Sequence, residues 1–116
     1  SDDMSSITEY FIRFYNLFAA LEPGKEEPML NILSYLEKDS WVLHIMPRKL
    51  HRPRQFFAEG SGKILLSPAS VDLGGVLVIP REEDFLKITR EDIEDIFYQV
   101  CLGTDEMDSM LNKMLI

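Results

Sequence analysis

Histidine and cysteine are scarce, and each scarcity excludes something. A single cysteine, Cys101, permits no internal disulfide, which suits a reducing compartment. Together with the two histidines, His44 and His51, it cannot assemble a Cys/His zinc site, so no metal site and no cofactor are expected. The histidines lie seven residues apart with Pro47 between them, so they do not form a histidine triad on one strand. Positive charge is short as well. Twelve Lys and Arg against twenty Asp and Glu leave a net charge of −8, which argues against nonspecific binding to nucleic acid or to an anionic membrane. No apolar run approaches the roughly 18 residues of a membrane span. Nothing in the opening residues reads as a secretory leader, and a cytoplasmic location is expected. No Gly-x-Ser-x-Gly elbow is present, and no glycine-rich phosphate loop of standard spacing.

What remains is an ordinary globular composition. The chain has 116 residues, 46% of them hydrophobic, and is expected to form one α+β domain over 1–116. At this length about two thirds of the unfolded surface is buried. Apolar residues recur at helical spacing from Ile7 to Leu21, after a capping-box pattern Ser6-Ile7-Thr8-Glu9, and Pro23-Gly24 closes the stripe. Residues 29–37 and 41–46 read as an antiparallel hairpin around a polar turn at 38–40. The period of two puts Trp41, Leu43 and Ile45 on one face and Val42, His44 and Met46 on the other. Residues 48–62 read as a loop. Ile64 to Leu66 and Val71 to Ile79 read as two more strands, the second interrupted at Gly74-Gly75 by a bulge or by a close backbone approach. The expected sheet therefore has about four antiparallel strands. Thr89-x-x-Asp92 caps a helix with Ile93, Ile96, Phe97, Val100 and Cys101 on its apolar face, Gly103 ends it, and Thr104 opens a last helix.

The charge is unevenly spread. Residues 41–81 carry a net +4, leaving −12 on the rest, and Arg48, Lys49, Arg52 and Arg54 fall within seven positions around His51. Arginine offers a planar fork of donors matched to phosphate or carboxylate, and prolines restrict the backbone that carries it. Arg48, Lys49, His51, Arg52 and Arg54 are thus candidate anion-binding residues. The alternative is a solvated loop paired with neighbouring carboxylates.

Other candidates have blander readings. Glu82-Glu83-Asp84 is read as a solvated helix start favoured by the helix dipole, with metal binding as the alternative. His44, flanked by apolar residues, is read as a hydrogen-bonded structural residue rather than a base. Cys101 is read as an inert thiol on an apolar face. Met107, Met110, Leu111, Met114 and Leu115 form a methionine-rich stripe that serves either as adaptable core or as a surface for a second copy or another domain.

The strand from Trp41 running through Pro47 and the basic residues to His51 looks like an early strand of histidine-triad superfamily domains. The stretch Glu27 to Ile32, then "MPRKLHRPRQFFAEG", then "ILLSPASVDLGGVLVIPREEDFLKI" is similar to the C-terminal part of an uncharacterised bacterial family. That family is related to the nucleoside-diphosphate-hexose and diadenosine-polyphosphate phosphorylases. The resemblance covers residues 7–102 and is specific over 41–85. It implies a histidine-triad-like α+β domain of a longer nucleotidyltransferase, with a nucleotide or sugar phosphate as ligand. It also implies a catalytic His-x-His-x-Gln or triad-type motif upstream of the matched part. This chain contains no such motif, so no catalytic residue is assigned to it. The expectation is an accessory domain, with an interaction or dimerisation module as the alternative.

Overall fold

The computed structural model describes residues 4–21 and 23–114. Helix α1 runs over Met4–Leu21, strands β1 and β2 over Leu30–Glu37 and Ser40–Pro47, and short helices α2, α3 and α4 over Arg54–Phe57, Ser70–Leu73 and Glu82–Lys87. Helices α5 (Arg90–Val100) and α6 (Thr104–Met114) follow. The chain is therefore α+β, but its sheet among the described residues has two strands, not about four.

The hairpin pairs Leu30 with Pro47 through Glu37 with Ser40 around a two-residue turn. Lys38 and Asp39 both take positive φ, 48° and 66°, the left-handed pair that matches the twist of a tight hairpin. Cross-strand partners share a face. Leu36–Trp41, Ser34–Leu43 and Ile32–Ile45 lie on the side of α1, and Tyr35–Val42, Leu33–His44 and Asn31–Met46 lie on the other. The faces are those that the alternation predicts.

The two further expected strands do not form, for a local reason. Ile64 N–H donates to the Gln55 carbonyl and Leu65 N–H to Asp84 Oδ2, so this segment's donors are used by a loop and a side chain rather than by a ladder. In the next segment Asp72 accepts from Ala69 N–H and Val78 N–H through its two oxygens, at 2.9 Å each, and winds the chain around itself. The result is the single turn α3 followed by irregular backbone. Gly74-Gly75 is accordingly no strand bulge. Gly75 has a φ of 117°, and a Cβ on Gly74 would meet Leu33 Cδ1 at 3.0 Å, so the bare backbone is there for the protein's own leucine.

Helix ends also differ from expectation at two places. Helix α1 is already helical at Met4, so Ser6 is not its cap, and Thr8 Oγ1 instead donates back to the Met4 carbonyl at 2.7 Å. Helix α5 stops at Val100, and the Gly103 carbonyl accepts from Met107 N–H inside the entry to α6. The Thr89–Asp92 capping box is present in both directions, at 3.1 and 3.0 Å.

Two small cores result. Phe14, Phe18 and Met110 bury together against Leu30 and Ile45, joining α1, α6 and the hairpin. Ile64, Leu66 and Ile96 bury together against Leu77 and Ile88, joining α5 to the middle of the chain. A seam links them: Lys49 N–H donates to the Val100 carbonyl at 2.9 Å, Leu102 N–H to the Pro47 carbonyl at 3.1 Å, and Arg48 bridges Cys101. Consistent with this divided packing, the radius of gyration is 16.5 Å, against about 13 Å for a compact domain of this size. Among the described residues no helix is long and apolar enough to cross a membrane.

Candidate functional site

The strand β2 delivers its C-terminal end, Pro47, to the seam, and the basic segment begins there. Its residues do not converge. Arg48 turns inward and is 5% exposed. Its Nη1 donates to Asn31 Oδ1 at 3.0 Å and its Nη2 to the His51 carbonyl at 2.7 Å. Lys49 lies over the Tyr98 ring, 5.2 Å from the centroid, and Arg52 over the Phe56 ring at 4.3 Å. Arg54 opens α2, where its Nη2 meets Asp95 Oδ2 at 2.6 Å. The cations thus spread over two aromatic rings, one carboxylate and one buried niche. Lys49 and Arg52 meet rings and Arg54 meets a carboxylate, whereas Arg48 meets only neutral acceptors.

The Asp95 contact is part of a lock between α2 and α5. Asp95 Oδ2 also accepts from Gln55 Nε2 at 2.7 Å and from Gln99 Nε2 at 3.1 Å, while Gln99 Oε1 accepts Arg54 N–H at 2.8 Å. Pro53 precedes α2 with extended backbone and a fixed φ, which is why a helix starts inside a stretch that composition reads as loop.

Two of the candidate anion-binding residues do share a space. Arg48 and His51 line a cavity of about 360 Å³ together with Lys25, Glu26, Glu27 and Asn31. Lys25 and Asn31 are the residues that the sequence pattern missed. Asn31 is the second residue of β1, and antiparallel pairing brings it beside Arg48, whereas Lys25 comes from the connection before β1 and lines the same cavity. Burial lowers the pKa of Arg48, and Cys101 and Asp72 oppose that change only by their charge at a distance. Burial likewise pushes the Cys101 thiol up, so little reactive thiolate forms there.

The chain matches no protein family, no curated protein and no solved structure.

His44 stacks on Tyr35, with ring centroids 5.5 Å apart, and its Nε2 lies 3.2 Å from the Tyr35 hydroxyl. His51 lies apart from it on the cavity rim. The acidic run divides: Glu82 and Glu83 are exposed, whereas Asp84 is fully buried. Asp84 accepts from Arg81 Nε at 2.9 Å, Arg81 Nη2 at 3.0 Å and Leu65 N–H at 2.9 Å. The Arg81 hydrogen bond, against the opposing cost of burial, holds this carboxyl at about 2. The solvated reading thus fails for Asp84, which is a structural hub. Among the described residues no group of three or more His, Cys, Asp or Glu is placed to hold a metal ion.

In α6 the methionine stripe is partly consumed by the chain itself. Met110 is buried against Phe14 and Phe18, and Met107 packs on the same cluster. Leu111 is 41% exposed. Leu115 and the Met114 side chain lie outside the described residues.

Proposed function

We propose that this chain is a non-catalytic accessory module of a nucleotidyltransferase- or phosphorylase-like protein, shaped to be completed by another sheet-bearing domain, with its basic residues contributing to phosphate binding. One observation carries the reading: the hairpin is left open. Neither outer edge of β1 or β2 is paired to a third strand among the described residues. Ile32, Tyr35 and Leu36 remain 38%, 44% and 57% exposed on it. A lone two-stranded hairpin is marginal in water, and its free N–H and C=O groups are a template for further strands. The absent histidine motif supports the non-catalytic part, since neither His44 nor His51 is placed beside a second imidazole.

Self-association is the second reading, favoured by the exposed Leu111 on α6. Hydrogen–deuterium exchange of the isolated chain over a concentration series separates the two. Outer-edge amides of β1 and β2 that exchange freely at every concentration support completion by another domain. Protection that grows with concentration supports a dimer. Protection already present in the dilute monomer overturns both.

A further inference from the structure

We propose that the cavity walled by Arg48, Asn31, His51 and Lys25 binds a single phosphate group, carried by a small molecule such as a sugar phosphate or a nucleoside monophosphate. This deepens the phosphate-binding part of the proposed function and rests on it. It moves the site from the exposed basic stretch to a cavity built on the seam.

Arg48 carries an unbalanced buried charge. A guanidinium is ionised under all ordinary conditions, and burying it without an anionic partner is costly. Arg48 is 5% exposed, yet both its acceptors, the Asn31 amide oxygen and the His51 carbonyl, are neutral. No carboxylate forms an ion pair with it among the described residues, and its Nε is closed off from solvent and has no hydrogen-bond partner there. Asn31 and the His51 carbonyl hold two of the five donors and so fix the guanidinium plane. With Nε closed off, the second N–H of each Nη is the donor pair left for a phosphate oxygen, on a guanidinium already fixed in place.

The rest of the wall suits the same ligand. Lys25 and His51 line the cavity from exposed positions that leave a way in, and the Lys25 ammonium lies beside it, 3.9 Å from Met29 Sδ. The volume, about 360 Å³, accommodates a phosphate with a small attached group. Glu26 and Glu27 on the same wall set the limit, because they oppose dense negative charge. A triphosphate or a nucleic-acid strand is therefore disfavoured against one phosphate group. Lys49, Arg52 and Arg54 point to other partners and take no part.

The test is a titration of the isolated chain at neutral pH and constant ionic strength, following the Arg48 Nε–H signal and the amides of Met29, Asn31 and Arg48 by NMR. The probes are inorganic phosphate, adenosine 5′-monophosphate, adenosine and chloride. Saturable shifts with the first two, at a Kd of about 1 mM, and none with the last two, support the site. The exposed double variant Lys25→Ala/His51→Ala should weaken binding about tenfold with the fold intact, and Glu26→Gln/Glu27→Gln should tighten it about threefold. Equal shifts with chloride, no saturation with phosphate, or unchanged affinity in Lys25→Ala/His51→Ala overturns the proposal. So does a shift of the Arg48 Nε–H signal in Glu26→Gln/Glu27→Gln without ligand, since those carboxylates would then be the counter-charge. Because only phosphate binding by this chain is read, failure here leaves completion of the sheet by another domain standing.

Discussion

Replacing Asp84 by Asn removes a charge and adds a donor where three donors already point. At neutral pH the wild-type carboxylate accepts two hydrogen bonds from Arg81 and one from the Leu65 amide, and Lys87 Nζ lies 3.5 Å away. The hydrogen bond from Arg81 is the main cause of the lowered pKa, from an ordinary 3.8 to about 2. That shift corresponds to roughly 2.5 kcal/mol of preference for the ionised form in the folded state. Arg81 and Lys87 are themselves 26% and 37% exposed, so water screens part of the interaction. After that discount, about 2 kcal/mol is expected to be lost in Asp84→Asn, lowering the urea midpoint by about 1–1.5 M. The sign of the pH dependence follows from the depressed folded pKa. The contribution is fully present above the unfolded value of 3.8 and is lost as pH falls from there through about 2. The gap between wild type and variant should therefore narrow across that window. Urea titrations followed by circular dichroism from neutral pH down to the acid limb test this. A loss below about 0.5 kcal/mol at neutral pH, or a gap that stays constant into acid, refutes the reasoning.

Other substitutions probe the remaining joints. Met110→Ala, in the core shared by α1 and α6, should cost about 2–4 kcal/mol in urea unfolding, whereas Leu111→Ala on the exposed side should cost about 0.5 kcal/mol or less. Thr89→Ala removes the hydroxyl cap of α5 and should cost about 1 kcal/mol by the same assay. The Arg54–Asp95 pair, 69% and 35% exposed, should show a double-mutant coupling below about 1 kcal/mol, with Asp95→Ala costing more than Arg54→Ala because Gln55 and Gln99 lose their acceptor too.

The hairpin, α1, α5 and α6 were legible because period agreed with burial, although the expected N-cap of α1 and C-terminal glycine of α5 did not hold. Trp41, Leu43 and Ile45 alternate and face α1, and Thr89 and Asp92 cap each other as their spacing requires. The middle of the chain was not legible. Ile64 to Leu66 and Val71 to Ile79 have strand composition, yet Asp84 and Asp72, remote in character from the apolar runs, take their amides. Side-chain acceptors that redirect backbone donors leave no periodic trace. The site divided in the same way. The cluster of cations was visible, but whether Arg48 faces inward depends on Asn31, placed beside it only by the register of β1 on β2. Lys25 had no signal, lying in a polar connection before the hairpin.

The turn of the hairpin bears on which end of it is secure. Lys38 and Asp39 both occupy the left-handed region, which costs an L-residue roughly 1–2 kcal/mol, less for aspartate. No glycine relieves the strain, so the turn by itself favours opening. Closure must be driven from the far end, where Leu30 and Ile45 meet Phe14 and Phe18. The hairpin is therefore held from its packed end, and its Lys38-Asp39 end is expected to open locally before its Leu30–Pro47 end.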